Sequence, residues 1–171
     1  MEVVRLWHVN LQLSLAEEED QLLSRSAAWF FSDLSGWLQL AYFVICAKLT
    51  DPKKQGSKRN LTAEHLVAEL KAQQLPHVEA EAELLQLRRY RALIIDARHK
   101  LLVHYDLASV RAGANLGEHT LEELTQFLAS LNRFTDAVGK SIGEGPLGYL
   151  RQASEGDAID LIRILRRSLS E

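Results

Sequence analysis

An arginine and a histidine six positions apart close a helix-forming segment near the middle of this 171-residue chain. Arg98 supplies a fixed cation whose planar fork of donors fits phosphate oxygens. His104 carries the one side chain whose unperturbed pKa allows proton transfer near neutral pH. Together they suit cleavage of a phosphodiester without a metal. On spacing alone, the commoner explanation is an ordinary surface helix end, where the macrodipole favours cations.

The chemistry that this pair would perform depends on how the two side chains meet. On an ideal helix they flank Leu101 and lie roughly 9 Å apart along the axis, so a cleft, an unwound turn or a second subunit must bring them together. His104 would then act as base on a ribose 2′-hydroxyl or as acid toward the leaving 5′-oxygen, while Arg98 stabilises the transition state. The product would be a 2′,3′-cyclic phosphate, and DNA would be spared.

Other polar residues are weaker candidates. His99 and His104 are five positions apart, which misses the i,i+4 spacing of helical zinc sites, and no cysteine supports them, so no metal is expected. A basic loop could contact RNA phosphates, although such a cluster without an aromatic is more often a solvated loop. Its cations are Lys53, Lys54, Lys58 and Arg59. The remaining histidines, expected in ordinary surface or cap roles, are His8, His65, His77 and His119.

Composition indicates a globular chain, with 47% hydrophobic and 25% charged residues. The length favours a single domain over residues 1–171. A net charge of −3 excludes chain-wide electrostatic binding of nucleic acid, so any RNA contact must use a local basic patch.

Cys46 lies in an apolar run and is expected to be a buried small hydrophobe. No signal-peptide pattern or run of about 18 apolar residues appears, which predicts a cytoplasmic protein without a membrane span.

Apolar residues recur at spacings of three and four, which predicts an all-α, up-and-down bundle of about five or six helices. The predicted helices cover residues 2–14, 24–49, 63–73, 76–102, 120–142 and 154–168. The second is expected to be a core element, with Trp29, Phe30 and Trp37 on its wide apolar face.

Two helix starts carry a capping signal. Thr62 is the expected N-cap of the third helix, and Thr120 with Glu123 has the spacing of a capping box. Residues 51–60, between the second and third helices, are expected to form a polar loop.

Three stretches together resemble a known family. Leu49-Thr50-Asp51-Pro52-Lys53, Asn60-Leu61-Thr62 and the run from Arg98 to Asp106 are similar, in order and spacing, to the AbiU-like abortive-infection branch of the HEPN superfamily. The resemblance covers about residues 29–106. It implies a HEPN-like helical bundle that dimerises with its motif helices close together, forming a composite cleft for metal-independent RNA cleavage without a cofactor.

The resemblance also assigns roles to residues. Arg98 and His104 would be catalytic, and His99 would take the polar position after the arginine, which is often asparagine in the family. Tyr105 and Asp106, which follow the histidine, would be supporting residues. Tyr105 could also be modified by a neighbouring antitoxin enzyme, but the family's tyrosine lies one residue further along, which weighs against this idea.

Two functions from different classes remain open, because the family includes toxins, phage-defence effectors and inactive RNA-binding relatives. The first is an endoribonuclease toxin or effector that acts on RNA as a homodimer and is paired with an antitoxin protein. The second is a non-catalytic helical module that binds RNA or a partner protein.

Overall fold

A computed structural model of the chain describes residues 17–97, 118–146, 156 and 158–169. The described residues form five helices and one short hairpin. In chain order these are α1 (Glu17–Thr50), β1 (Lys54–Gln55), β2 (Lys58–Arg59), α2 (Ala63–Ala72), α3 (Val78–Ala97), α4 (Leu121–Ser141) and α5 (Ala158–Ser168). The predicted all-α class is confirmed. The predicted first helix, residues 2–14, lies outside the described residues.

The chain divides into two compact units. The first contains Met1–Tyr42 and Leu150–Glu171, and the second contains Phe43–Tyr149. Helix α1 contributes its residues up to Tyr42 to the first unit and the remainder to the second. The expectation of one domain over residues 1–171 stays a prediction.

The core of the first unit joins α1 to α5. Leu23, Ala158 and Ile162 are buried together. Partly buried apolar side chains pack around them, namely Leu22, Phe31, Leu34, Leu38 and Leu165. Helix α1 contains a kink at Ala27, whose backbone angles (φ −160°, ψ 71°) are not helical. The apolar periodicity of α5 therefore corresponds to a real buried face within the described helix Ala158–Ser168.

The prediction that Trp29, Phe30 and Trp37 of α1 lie in the core was wrong, whereas Tyr42 on the same helix is buried. Trp29 is 86% exposed, Phe30 61% and Trp37 68%. Nine residues separate Trp29 from Leu38, which places them about 180° apart on a helix, so burying one leaves the other on the opposite side. Within the described residues, the apolar side chains of α1 thus extend around more of the helix than the side that is packed.

Helix α1 is also long and apolar. Among the described residues, Asp20–Thr50 is the one stretch that could cross a membrane by length and composition alone. The core helix of a water-soluble protein passes the same test, which makes the observation weak evidence for a membrane. The expected cytoplasmic location stays a prediction.

The second unit is organised by the packing of α3 against α4, the most extensive contact between described helices. Glu79 pairs with Lys140, Glu83 pairs with Arg133, and Tyr90 stacks on Phe127. Residue numbers rise on α3 as they fall on α4, so the two helices run antiparallel. Their shared core includes fully buried Leu87, Ile94, Leu124 and Phe127.

The ends of α2 and α4 follow the local rules predicted for them. The Thr62 hydroxyl accepts a hydrogen bond from the His65 backbone N–H, and Thr120 forms a complete capping box with Glu123. Helix α4 ends when Gly143 adopts a φ of 81°, which allows the Glu144 N–H to donate to the Gly139 carbonyl at 2.9 Å. Only glycine enters this left-handed region without steric cost.

The capping box of α4 should make stability depend on pH. The backbone N–H and the hydroxyl of Thr120 donate to the Glu123 carboxylate at 2.7 and 3.0 Å, and they hold its pKa below the ordinary value of 4.5. A carboxyl whose pKa is lower in the folded state stabilises the fold above its unfolded pKa. That contribution is lost as the pH falls through the folded pKa.

Replacing Glu123 with glutamine keeps a hydrogen-bonding side chain but removes the titration. We expect the melting temperature of the wild type minus that of Glu123→Gln to fall as the pH decreases from 6 to 3. Thermal unfolding followed by circular dichroism measures this difference. A difference that stays constant with pH would contradict the prediction.

Candidate functional site

The described residues include the helix that precedes the predicted catalytic motif in sequence. The predicted site residues lie outside the described residues, namely Arg98, His99, His104, Tyr105 and Asp106. Helix α3 is described as far as Ala97, the residue immediately before Arg98. The described residues closest to the motif segments in sequence are those of α3 and of the segment that follows α1.

Asp51, within the Leu-Thr-Asp-Pro segment, reaches across to α3. Its side chain is 10% exposed, and its Oδ1 accepts a hydrogen bond from Arg91 Nη2 at 3.3 Å. The preceding hydroxyl, that of the buried Thr50, donates to the Cys46 carbonyl at 2.8 Å. Thr50 and Asp51, at the end of α1 and just after it, are thus both buried and hydrogen-bonded.

A second carboxylate holds α3 in the same way. Glu64, on α2, accepts the backbone N–H of Lys53 at 3.1 Å and pairs with Arg88 Nη2 at 3.2 Å. Arg88 and Arg91 are three residues apart and therefore project from the same side of α3. We call the Asp51–Arg91 and Glu64–Arg88 pairs the α3 clamp. Arg91 Nε is buried and lacks a hydrogen-bond partner, so this guanidinium is only partly satisfied.

The apolar side of α3 packs against the rest of the unit. Leu84, Leu87 and Ile94 are buried, and the Tyr90 ring stacks on Phe127 with centroids 4.4 Å apart. His119 lies edge-on to Tyr90 at 5.3 Å. Because α3 is held by ion pairs on one side and by aromatic and aliphatic packing on the other, its position in this unit is closely defined.

His119 also lies edge-on to Phe43, with centroids 5.9 Å apart. It is partly buried between two rings, immediately before the N-cap residue Thr120. Its role in the described structure is packing.

The four cations predicted to contact RNA lie together on a hairpin. The expectation of a polar loop was wrong for residues 54–59, where β1 and β2 pair antiparallel across a two-residue turn. Gly56, the first turn residue, has a φ of 59°, as the glycine of a type II′ turn requires. We call residues 53–60 the basic hairpin. Its cations Lys53, Lys54, Lys58 and Arg59 are all exposed.

The described residues offer no obvious metal or small-molecule site. Within residues 17–97, 118–146 and 158–169, no three His, Cys, Asp or Glu side chains cluster closely enough to hold a metal ion. An open groove of about 750 Å³ runs along α1 beside Trp29 and Ser35. Another, of about 260 Å³, lies between α3 and α4 beside Arg89 and Gln126. Neither groove contains a predicted site residue.

Sequence reasoning missed the α3 clamp. From the sequence, Asp51 entered only as part of a family motif, and Arg88 and Arg91 were not identified as ion-pair partners. The spacing of the two arginines signals a shared face, but their acidic partners precede them by 24 and 40 residues. No local pattern identifies partners at such separations.

The buried half of the α3 clamp should matter for stability. Replacing Asp51 with asparagine leaves Arg91 facing a neutral group, and we expect a loss of about 1.5–3 kcal/mol in the free energy of unfolding, typical of hydrogen bonds to charged groups. Urea unfolding followed by circular dichroism measures it. Glu79→Gln, which breaks an exposed pair with Lys140, is the matched control and should cost less than about 1 kcal/mol. Equal effects of the two substitutions would contradict the prediction.

Comparison with known families agrees with this architecture. A family model described as AbiU2, of the HEPN type, matches residues 2–161, which covers both the Leu-Thr-Asp-Pro segment and the Arg98–Asp106 run. Comparisons with curated proteins and with solved structures give no match. The all-α bundle is that expected of a HEPN domain. The chain belongs to the AbiU2 family of HEPN proteins.

Proposed function

We propose that this protein is a metal-independent endoribonuclease that acts in abortive infection, as a toxin or phage-defence effector. The observation that carries the proposal is the family match, because the matched residues 2–161 include both motif segments. The match supports a HEPN protein and a role in abortive infection. The nuclease activity is the further step that we propose.

The described structure supports the proposal through α3. The α3 clamp and the stacking of Tyr90 on Phe127 define the helix up to the residue before Arg98. Groups that stabilise a transition state must be held close to their productive positions, since small misplacements are costly. In the proposed reaction Arg98 neutralises charge on the phosphorane-like transition state. His104 transfers the proton of the 2′-hydroxyl or of the leaving oxygen.

The cleavage proposal predicts a specific pattern. Purified protein should cut RNA equally well with and without EDTA, leave 2′,3′-cyclic phosphate ends and spare DNA of the same sequence. His104→Ala should slow cleavage by about 10²–10⁴-fold and Arg98→Ala by about 10²–10³-fold. Gel analysis of total tRNA and mRNA, with end chemistry determined by mass spectrometry, measures these effects.

A histidine outside the motif provides the matched control, because its replacement shows the effect of losing a histidine that is not catalytic. His65 is partly exposed on α2, where its ring lies 3.8 Å from Glu69, and His65→Ala should cleave RNA at the wild-type rate. Cleavage that EDTA abolishes, or that His104→Ala retains, would overturn the proposal.

We also propose that the protein works as a homodimer in the cytoplasm. The HEPN resemblance implies that a second copy completes the cleft, and the exposed aromatic side chains of α1 offer an apolar surface for it. Trp29 and Trp37 are too large and too exposed to be left in water without cost. The same features make a membrane surface the competing partner of α1.

Light scattering tests the proposed dimer. The wild type should have twice the mass of the 19.3 kDa chain, and the double variant Trp29→Ser/Trp37→Ser should shift toward the mass of one chain. Leu61→Ser, which removes an 81% exposed apolar residue of the second unit, is the control and should remain dimeric. A wild type that is monomeric at all concentrations, or that sediments with membranes, would contradict the proposal.

A second candidate function is a non-catalytic module that binds RNA or a partner protein such as an antitoxin. The basic hairpin favours it, because exposed cations can bind an anionic partner whether or not a phosphodiester is cut. RNA binding by a protein that never cleaves RNA would support this candidate over the first.

A further inference from the structure

The cations of the basic hairpin are not neutralised within the described part of the chain. The ion pairs among the described residues do not include Lys53, Lys54, Lys58 or Arg59. The two carboxylates nearest in sequence, Asp51 and Glu64, are instead engaged by the arginines of α3. Four positive charges within seven residues therefore face solvent without a counter-charge from the residues that the structure describes.

The pairing of the strands adds to this accumulation. Lys54 lies directly opposite Arg59, and Gln55 lies opposite Lys58. Residues directly opposite on an antiparallel pair have Cβ atoms about 4.5–5.5 Å apart, and like charges there destabilise the pair. Alternation along the strands places Lys54 and Arg59 on one face of the hairpin, and Lys53 and Lys58 on the other. An anion bound on either face would relieve this repulsion.

The base of the hairpin is held in place. The Asn60 N–H donates to the Lys53 carbonyl at 2.9 Å, and the Asn60 side-chain amide donates to the Pro52 carbonyl at 3.0 Å. Glu64 accepts the Lys53 N–H, and Thr62 caps the helix that follows. The cations are thus presented on a backbone that is already ordered, which lowers the entropic cost of binding.

We propose that the basic hairpin binds the phosphate backbone of RNA, an inference that rests on the proposed action of this protein on RNA. The chain as a whole carries a net charge of −3, so attraction to a polyanion must come from a local patch of this kind. Residues 53–60 contain no aromatic side chain on which a base could stack. Contacts of this kind position RNA without reading its sequence.

The composition of the hairpin favours RNA over a lipid surface. Proteins that lie on membranes combine basic residues with apolar side chains that enter the headgroup region. Residues 53–60 contain no apolar side chain, and only Leu61, just beyond them, is exposed. Membrane binding is accordingly an outcome that the experiment must detect rather than the expected one.

The salt dependence of RNA binding tests the inference. Fluorescence anisotropy with a single-stranded RNA of mixed sequence would use the full chain carrying His104→Ala, so that cleavage does not interfere. Each phosphate neutralised on a single strand contributes about −0.7 to the slope of log affinity against log salt. Replacing all four hairpin cations with glutamine should make the slope shallower by up to about 3 and weaken binding at least tenfold at low salt.

A control of equal charge isolates the hairpin from the overall charge of the protein. Four exposed cations that already have internal partners are replaced with glutamine in the same background, namely Lys71, Arg89, Lys140 and Arg163. This variant loses the same four charges but should keep nearly the wild-type slope. Circular dichroism of both variants checks that they keep the helical content of the parent protein.

The outcomes distinguish this inference from the proposed nuclease activity. Equal slopes in the hairpin and control variants would overturn the inference, even if the wild type cleaves RNA. Binding that depends on the hairpin in a protein that never cleaves RNA would support it and refute the nuclease. Vesicles containing phosphatidylserine provide the remaining test. Hairpin-dependent vesicle binding with unchanged RNA binding would replace RNA with a membrane surface as the partner.

Discussion

The second unit depends on α3 being held from two sides by interactions of different kinds. On one side, Tyr90 stacks on Phe127 within a close-packed interface with α4. On the other, two arginines engage carboxylates that come from the end of α1 and from α2. The hydrophobic effect is nondirectional, whereas ion pairs to particular carboxylates favour one register of the helix. The combination explains how a helix that carries so many arginines can be a central element.

The same arrangement explains the distribution of charge around the loop after α1. Asp51 and Glu64 pair with arginines of α3, and within the described residues the lysines and Arg59 of the basic hairpin form no ion pair. Because Asp51 and Glu64 pair with the arginines of α3, they neutralise positive charge on that helix and not on the hairpin. A chain that is acidic in total can in this way present a strongly basic surface locally.

Sequence reasoning succeeded where the cause was local. The caps at Thr62 and Thr120, the helical class and the burial of Cys46 follow from neighbouring residues, and all were confirmed. The hairpin was missed because lysine, glutamine and arginine are poor strand formers, and only Gly56 signals a tight turn.

The other features that were predicted wrongly or missed depend on contacts between residues that are far apart in the sequence. The exposure of Trp29 and Trp37 depends on which side of α1 finds a partner, and the α3 clamp depends on contacts across tens of residues. The candidate catalytic residues Arg98 and His104 were reached through a resemblance between segments. The family assignment supports that resemblance, and their roles remain proposals.

The placement of the tryptophans and the cysteine has a practical consequence for spectroscopy. All three tryptophans precede Tyr42 and so belong to the first unit, whereas the only thiol, Cys46, is fully buried in the second. Intrinsic tryptophan emission therefore reports on the first unit alone. The rate at which a thiol reagent modifies Cys46 reports on opening of the second. Without any introduced label, the chain therefore carries an optical reporter in its first unit and a chemical reporter in its second.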